Sequence, residues 1–399
     1  MPANRPSNLK PESTPTILFV TEIQPCPPYG GQMIRCHNVI DSLSQCFSTV
    51  VFAPQVATTC RLMTQVTAWY QLPSYDRQSL PSRASNYFHR LVPRTTWAHC
   101  LQKIYQQHKP QVVWFSSDHW GQYATVVHGW NAWAIMETYN TQANLTQQAY
   151  QATPFGRTRC IRWFRYCAQR IHEQYLFSRF DRIVSVSEAD RHYHARYVGE
   201  ERSLLIPNYL REAEYIPQKP VKRSDKLVVM TGNFAAFQNK CGLDWFLQQV
   251  WPDVCQEIPG IRLLLVGKNS DEIGSRLGQI SSIAGTGQVQ TVAPYLQLAT
   301  VVVVPLLHGS GTSFKVLEAL ACRAPVVSTT LGARGLDLGE SIVIADRGPD
   351  FAQAIVSLIE NAPKRLSLAQ NGLRMIRNQH SFALNTERIR QLVVGLTAE

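Results

Sequence analysis

The sequence predicts an α/β protein of two doubly wound domains, each a parallel sheet with helices on both faces. Short apolar runs alternate with helical or polar stretches along the chain, as in strands joined by crossover helices. The alternation restarts after a segment rich in proline and charge at 204–223. The 399 residues are enough for two domains, each with its own core.

The front half contains five predicted strands. The first, Ile17–Val20, is followed by the loop PCPPYGG and by apolar residues at helical spacing, including Ile34, Val39 and Leu43. Strand, glycine loop and helix therefore follow one another. The other four predicted strands are Val50–Ala53, Val112–Phe115, Ala132–Met136 and Ile183–Val186.

The second half contains six predicted strands. They are Leu227–Met230, Leu263–Val266, Val289–Val292, Val301–Pro305, Val326–Ser328 and Ile342–Ala345. Gly232 and Gly267 directly follow two of them, where a tight turn at the carboxyl edge of a sheet or a ligand contact favours glycine. The chain has neither the G-x-G-x-x-G fingerprint nor a G-x-x-x-x-G-K-[ST] loop, which argues against nicotinamide and ATP chemistry.

The charge balance favours an anionic partner. Lys and Arg total 39 against 28 Asp and Glu, a formal net charge of +11, and most of the excess lies in residues 1–220. Phosphates, acidic glycans, anionic lipid and nucleic acid all fit this sign. No nucleic-acid motif accompanies it, so we expect no nucleic-acid partner.

The cysteine pattern and the N-terminus favour a cytoplasmic protein. None of the ten cysteines forms a C-x-x-C pair, which favours free, buried thiols in a reducing compartment over disulfides or a metal site. The polar, proline-rich start lacks the apolar core of a signal peptide. No apolar run approaches the ~20 residues that cross a bilayer. Peripheral association with the inner face of the cell membrane stays open.

The segment 301–329, VVVVPLLHGSGTSFKVLEALACRAPVVST, has the densest chemical pattern. A buried strand ends at Pro305, a glycine-rich turn follows, and a helix is predicted to begin near Thr312 or Ser313. Its backbone N–H groups would face an anion in the turn, and a diphosphate fits such a site. Lys315 would then bind phosphate and Glu318 a ribose hydroxyl. An ordinary solvated Lys–Glu pair is the alternative.

This segment resembles the donor-site motif of GT-B glycosyltransferases, which have two Rossmann-like domains with a cleft between them, and in particular retaining family 4 (glycosyl transferases group 1). That family often carries two glutamates separated by seven residues; the second aligns with Glu318 and the first with Ser310. One subgroup has small residues there in a Gly-Gly-Thr turn, with a lysine three residues before the glutamate. GSGTSFKVLEAL, which includes Gly311, Thr312 and Lys315, resembles that subgroup.

Other segments resemble the family in the expected order. TGNFAAFQNKCGLDWFL resembles the first loop and helix of the second domain, with Asn233 at the usual arginine and Lys240 as the surviving lysine of the diphosphate clamp. PPYGGQMIR resembles the glycine loop, so Gly30 and Gly31 are expected near the donor. In METYN, Tyr139 takes the place of a common histidine near the reacting sugar.

The resemblance implies transfer of a sugar from a nucleotide-diphosphate sugar to a glycan, lipid-linked or small-molecule acceptor, with retention at the anomeric carbon. The expected catalytic residues are Lys240, Lys315 and Asn140, and His119 and Tyr139 are acceptor candidates. The donor residues are Gly30, Gly31, Gly232, Asn233, Gly267, Ser310, Gly311, Thr312 and Glu318. A GT-B protein that binds nucleotide-sugar or glycan without turnover is the alternative function.

No metal and no cofactor are expected at the reacting centre, with the nucleotide-sugar as co-substrate. A retaining enzyme of this kind must stabilise a leaving diphosphate rather than supply a nucleophile. The helix end near Thr312 together with Lys240 and Lys315 would do so. The chain has no D-x-D motif to supply carboxylates for Mg²⁺.

The resemblance also sets the expected domain boundaries. These are a flexible leader at 1–15, an acceptor domain at 16–210, a linker at 211–222, a nucleotide-sugar-binding domain at 223–378 and a helix at 379–399 that crosses back to the first domain. Leu384, Ile389, Leu392 and Val393 have the spacing of a docking helix.

A basic amphipathic helix is predicted between Arg157 and Arg182. Its apolar positions are Ile161, Phe164, Ala168, Ile171 and Tyr175. Arg159, Arg162 and Arg165 lie on its other faces. A solvated face, a site for an anionic acceptor and contact with an anionic membrane surface are three interpretations that remain open.

Overall fold

The computed structural model describes residues 14–57, 59–73, 93–139, 141–217, 221–277, 282–309 and 312–398. These residues form two compact units. The first comprises the described residues up to Pro207 together with those from Asn385 onward, and the second comprises those from Asn208 to Leu384.

The first unit contains a seven-stranded parallel sheet in the order β3-β2-β1-β4-β5-β6-β7. Its strands are β1 (Thr16–Thr21), β2 (Ser48–Ala53), β3 (Ala68–Gln71), β4 (Val112–Ser116), β5 (Trp133–Thr138), β6 (Arg182–Ser185) and β7 (Ser203–Leu205). Its helices are α1 (Gly31–Cys46), α2 (Leu62–Gln65), α3 (Thr95–His108), α4 (Ala124–Val127), α5 (Gln142–Gln151), α6 (Arg157–Phe177) and α7 (Glu188–Val198).

The central strands of this sheet are apolar because both of their faces are buried. β1 pairs with β2 on one side and with β4 on the other, and Phe19 lies opposite Val51 and Trp114. All five residues of β4 are buried. Such continuous apolar runs are typical of parallel sheets, in which helices cover both faces.

The second unit contains a six-stranded parallel sheet in the order β10-β9-β8-β11-β12-β13. Its strands are β8 (Leu227–Thr231), β9 (Arg262–Val266), β10 (Ile283–Gly285), β11 (Val301–Val304), β12 (Val326–Ser328) and β13 (Val343–Ile344). Its helices are α8 (Phe237–Gln249), α9 (Trp251–Glu257), α10 (Ser270–Leu277), α11 (Ala293–Leu298), α12 (Phe314–Ala321), α13 (Gly348–Glu360) and α14 (Ala362–Gln379).

The last helix, α15 (Phe382–Ala398), begins in the second unit, and its residues from Asn385 onward belong to the first. Ile389, Val393 and Leu396 are at most 2% exposed. No helix within the described ranges is both long and apolar enough to span a bilayer.

The fold class predicted from the sequence is confirmed, and two predictions are wrong. Val289–Val292 is not a strand; the strand of that region is β10, six residues earlier. The ten cysteines are not all free thiols, because Cys26 and Cys60 form a disulfide. Both sulfurs lie at the carboxyl edge of the sheet, on loops after β1 and β2, and the spacing of 34 residues gives no sign of their proximity.

Candidate functional site

The turn after β11 and the first turn of α12 form the candidate site of the second unit. α12 begins at Phe314 after Ser313, whose side chain makes no capping hydrogen bond, and its first turn has no acidic residue. The backbone N–H groups at this end therefore favour an anion. Ser310 and Gly311 lie outside the described residues. Asn208, which lies between β7 and β8, donates through Nδ2 to the Thr312 carbonyl at 3.3 Å and so holds this turn.

Lys315 is half-buried in the first turn of α12, where Asn239 of α8 contacts it. The ammonium donates to Asn239 Oδ1, and Asn239 Nδ2 donates to the Asn233 carbonyl at 2.8 Å. Burial lowers the pKa of Lys315 to about 8, against the opposing effect of the Glu318 charge. Asn239 was not predicted from the sequence, where its place beside Lys240 is the only sign of a role in the site.

Glu318 lies one turn further along α12 and is 9% exposed. The Tyr215 hydroxyl donates to Glu318 Oε1 at 3.2 Å. Burial raises the pKa of the carboxyl to about 7, partly offset by this hydrogen bond and by the Lys315 charge. The structure thus places a lysine and a glutamate in the first two turns of α12, and the pKa of each side chain lies near neutrality.

Gly232 and Gly267 leave room where β8 and β9 end. A Cβ at Gly232 would lie 3.4 Å from Lys315 Nζ and 3.1 Å from Asn239 Nδ2. Gly267 has φ +127°, and a Cβ there would lie 2.3 Å from the Gly232 carbonyl oxygen. Close backbone approach therefore requires glycine at 267, and Gly232 lies against the lysine.

Lys240 and Asn233 differ from Lys315 in their surroundings. Both side chains are exposed, Lys240 on α8 and Asn233 in the loop before it. Asn233 Oδ1 accepts the Ala235 N–H at 3.1 Å, which shapes that loop. Of the two lysines, Lys315 is therefore the one that lies in the first turn of α12.

In the first unit, a small cavity lies where β1, β4 and β5 end. It has a volume of about 60 Å³, and Glu22, Gln32, Ser117, His119 and Tyr139 are among its lining residues. It brings together both acceptor candidates and a residue of the glycine loop. Gly30 and Gly31 lie where α1 begins, directly before Gln32, and Asn140 lies outside the described residues.

Glu22 is a carboxylate that lines this cavity, and it was not predicted from the sequence. Ser117 Oγ donates to Glu22 Oε1 at 2.6 Å, and Trp120 Nε1 donates to Glu22 Oε2. His119 Nδ1 lies 3.0 Å from Glu22 Oε1, while about half of the His119 side chain is exposed. His119 is thus oriented by a fixed carboxylate.

The Tyr139 hydroxyl points into the unit rather than to solvent. It lies 3.0 Å from Cys36 Sγ and also bonds Ser116 Oγ. Burial raises the pKa of the Cys36 thiol to about 12 and raises that of Tyr139. The Tyr139 ring lines the cavity, and its hydroxyl belongs to the buried network beneath it.

A buried ion pair joins two of the segments that carry the family resemblance. Arg35, from PPYGGQMIR, donates through Nε to Glu137 Oε1 at 2.7 Å, and Glu137 is the glutamate of METYN. Trp114 Nε1 donates to Glu137 Oε2 at 3.2 Å. Both charged residues are at most 1% exposed, so the pair positions α1 against β5.

Both candidate regions lie at the topological switch points of their sheets. The strand order reverses between β1 and β4 in the first unit and between β8 and β11 in the second. Doubly wound proteins bind ligands at the carboxyl ends of strands at such points. Glu22 and His119 follow β1 and β4, and Gly232 and Lys315 follow β8 and β11.

Comparison with solved structures confirms the GT-B glycosyltransferase fold. The chain is similar to sucrose-phosphate synthase from Thermosynechococcus elongatus, with a TM-score of 0.72 and 16% identity over 96% of this chain and 99% of that one. It is similar to Anabaena HepE in complex with UDP-glucose, with a TM-score of 0.67, 14% identity and coverages of 96% and 100%. For WaaG, a glycosyltransferase involved in lipopolysaccharide biosynthesis, the values are 0.65, 13%, 95% and 100%.

Residues 225–361, which lie within the second unit, match the family of glycosyl transferases group 1 and form a domain of that family. The chain is also 26% identical over 215 residues to an uncharacterized 44.6 kDa protein in the cps region of Klebsiella pneumoniae. That match covers 51% of this chain and 53% of the Klebsiella protein, so the chain matches about half the length of this relative.

Proposed function

We propose that the protein is a glycosyltransferase that transfers a sugar from a nucleotide-diphosphate sugar to a glycan, lipid-linked or small-molecule acceptor, with retention at the anomeric carbon. The observation that carries this proposal is the first turn of α12. The N-terminus of this helix has no side-chain cap, its first turn carries Lys315, and Glu318 lies one turn later. All of these residues lie within the glycosyl transferases group 1 domain. UDP-glucose in HepE and the cps-region relative support a nucleotide-sugar donor and a role in polysaccharide assembly.

In the proposed mechanism the diphosphate lies against the N-terminus of α12. The helix N–H groups and Lys315 stabilise the charge that develops on the diphosphate as the sugar bond breaks. Asn239 holds the Lys315 ammonium in place, and Gly232 leaves the space beside it open. Glu318 accepts hydrogen bonds from ribose hydroxyls.

The acceptor side of the proposal involves Glu22 and His119. The imidazole of His119 is accessible and lies beside a half-buried carboxylate that Ser117 and Trp120 hold in place, which suits recognition of an acceptor hydroxyl. We expect His119→Ala to raise the KM for acceptor while leaving the KM for donor nearly unchanged. An equal effect on both would remove His119 from the acceptor side.

The proposed transfer uses no divalent cation, because Lys315 and the helix end supply the positive charge and the chain lacks a D-x-D motif. Removal of Mg²⁺ and Mn²⁺ with a chelator should leave the transfer rate unchanged. A rate that collapses and returns on adding Mg²⁺ would contradict this.

The deciding experiment is a panel of nucleotide-sugars tested for binding by calorimetry and for nucleotide release with and without acceptors. Glu318→Gln should weaken donor binding by about 10- to 150-fold, since it loses a charge-assisted hydrogen bond of about 1.5–3 kcal/mol. The matched control is Glu257→Gln, which changes a glutamate of the same unit that lies at the end of α9 rather than on α12. Tight donor binding with no turnover under any acceptor would favour the non-catalytic alternative, which the replacement of the usual arginine by the exposed Asn233 supports.

We further propose that α6 contacts an anionic membrane surface. Ile161, Phe164, Ala168, Ile171 and Tyr175 recur at spacings of three and four residues, and all are exposed, with Phe164 at 66% and Ile171 at 69%. A soluble helix normally buries such a stripe. Phe155, just before the helix, is 95% exposed.

The arginines of α6 divide into two roles. Arg165 is exposed and flanks the apolar stripe, as the polar side of a membrane-surface helix requires. Arg162 Nη1 instead donates to the Ala149 carbonyl of α5 at 2.9 Å and to Thr153 Oγ1 at 2.7 Å, and the Arg159 guanidinium lies over the Tyr150 ring. The last two thus fasten α6 to α5 while their charge stays near the surface.

Vesicle sedimentation tests this contact. Binding to vesicles containing anionic phospholipid should exceed binding to neutral vesicles, and Phe164→Ser with Ile171→Ser should abolish it. The matched control is Phe237→Ser, which removes an equally exposed aromatic side chain from α8. Retained binding by the double variant, or loss in the control alone, would contradict the assignment to α6.

A further inference from the structure

We propose that Cys26, Cys60 and His37 form a binding site for a soft divalent cation, Zn²⁺ above all, when the disulfide between the two cysteines is reduced. The two sulfurs and a ring nitrogen of His37 lie within 4.8 Å of one another. Two thiolates and one imidazole are the ligands that zinc prefers, and a water would complete four-coordination. The site lies within the first unit, and its three residues are not among those that line the cavity with Glu22.

The three ligands come from three segments that the fold already holds together. Cys26 lies on the loop after β1, Cys60 on the loop after β2, and His37 two turns into α1. β1 and β2 are parallel neighbours, so their loops leave the sheet at the same edge. The Cys26 and Cys60 Cα atoms are 6.3 Å apart.

The histidine is prepared for ligation. His37 is 8% exposed, and its Nδ1 lies 3.1 Å from the Pro25 carbonyl oxygen, an acceptor to which only a protonated Nδ1 can donate. In the neutral ring the lone pair is then on Nε2. A hydrogen bond from the other ring nitrogen to a backbone carbonyl is the usual support of a metal-binding histidine.

A second contact keeps Cys60 in place without the disulfide. Its neighbour Arg61 donates through Nη2 to Asp41 Oδ2 at 2.8 Å, and Asp41 is fully buried on α1, one turn after His37. The loop that carries Cys60 is therefore fastened to α1 by an ion pair as well. Reduction would leave the two thiols close together rather than release the loop.

The other eight cysteines favour a reduced Cys26–Cys60 pair. All eight are free, and Cys160 is exposed, which is typical of proteins in a reducing compartment. Reduction of the disulfide by a dithiol gives two Cys thiols and an oxidised reductant. Zn²⁺ binding then releases two thiol protons, and the two thiolates balance the charge of the ion in this largely buried place.

The test uses the full-length, untagged protein, reduced with a phosphine that is then removed without air. Titration with Zn²⁺ against a chromophoric chelator should show one Zn²⁺ per chain bound through this cluster. Cys26→Ser, Cys60→Ser and His37→Asn should each weaken binding by more than the ~10- to 100-fold typical of outer-shell changes. Cys160→Ser and His192→Asn, both exposed positions, are the matched controls and should bind as wild type does.

Two measurements on the wild-type chain keep the result independent of variant folding. Zn²⁺ should protect Cys26 and Cys60, and not Cys160, from alkylation as read by peptide mass spectrometry. Oxidation with diamide, which takes two electrons and two protons from the pair, should lower the thiol count from ten to eight and abolish zinc binding. The proposal is overturned if reduced protein binds no Zn²⁺, if alkylation of the pair is unaffected, or if the Cys variants bind as wild type does.

Discussion

Lys315 and Glu318 are two charged groups of opposite sign on one turn of α12, and burial moves both pKa values toward neutrality. The pKa of Lys315 is lowered to about 8 and that of Glu318 is raised to about 7. In the proposed donor site, the protonated amine of Lys315 would bind a phosphate, and a ribose hydroxyl would donate best to the ionised carboxylate of Glu318. Both groups have the required charge chiefly between these two values.

The first prediction is that donor binding has a maximum near pH 7–8. Below pH 7 Glu318 gains a proton and loses acceptor strength, and above pH 8 Lys315 loses the proton that attracts the diphosphate. Lys315→Arg should remove the alkaline decline, because arginine stays charged to about pH 12. Glu318→Gln should remove the acidic decline. Calorimetric binding curves across this range test both, and a wild-type profile in either variant would exclude that residue.

The Arg35–Glu137 pair is almost completely buried, which indicates a structural role. Both groups are withdrawn from water, and Glu137 also accepts from Trp114. Removing one partner of such a pair leaves an uncompensated buried charge, which is strongly destabilising.

The second prediction is that Glu137→Gln lowers the free energy of unfolding of the first unit by about 3–5 kcal/mol. Urea unfolding followed by tryptophan fluorescence measures it. Glu387→Gln is the control, because its pair with Arg390 is solvent-exposed and its loss should change stability little. A Glu137→Gln variant as stable as this control would mean that the pair does not hold α1 to β5.

The sequence was enough to identify charged residues that lie on the same helix, but not charged residues that come from separate helices and strands and meet only in the fold. Lys315 and Glu318 are three residues apart on α12, so their spacing was enough to relate them. Arg35 and Glu137 are 102 residues apart, and only the fold of the first unit brings the two side chains together. Glu22 was missed for the same reason, since its donors Ser117 and Trp120 follow β4.

At the scale of elements, errors in the prediction concentrate at the sheet edges. β3, β7 and β10 are edge strands, and none of them was predicted. β7 and β10 are three residues long, and β3 is only half-buried along its first three residues. An edge strand buries less surface than a central one, so its sequence lacks the continuous apolar run that identified β1, β4 and β11.

The turn that ends β9 supports a third prediction. At Gly267 the backbone has φ +127°, and a Cβ would approach the Gly232 carbonyl to 2.3 Å. Gly267→Ala should therefore destabilise the second unit by about 2–5 kcal/mol through backbone strain and overpacking. Gly129→Ala is the control, because no atom lies within 4 Å of a Cβ there. Equal urea midpoints for the two variants would show that the close approach relaxes at little cost.

On the scale of the whole molecule, the first unit is discontinuous in sequence. Its sheet and most of its helices lie before Pro207, yet the residues from Asn385 onward belong to it as well. Ser42 Oγ on α1 lies 2.8 Å from Thr386 Oγ1, and Ile389 and Val393 are fully buried. The spacing of apolar residues indicated a docking helix, and only the folded chain shows which residues cover it.

The fourth prediction follows from this discontinuity. A chain that ends at Leu384 keeps every residue of the second unit but removes Ile389, Val393 and Leu396 from the first, each of which contributes about 1.5–3 kcal/mol by burial. Its first unit should unfold at a clearly lower urea concentration and bind a hydrophobic dye. Stabilisation of the second unit by a nucleotide-sugar should persist, at about 2.7 kcal/mol when the ligand is at a hundredfold excess over Kd. A chain that ends at Leu396 is the control, because it keeps all three side chains. If both chains unfold alike, α15 contributes nothing to the first unit; if donor stabilisation is lost with α15, the donor site depends on more than the second unit.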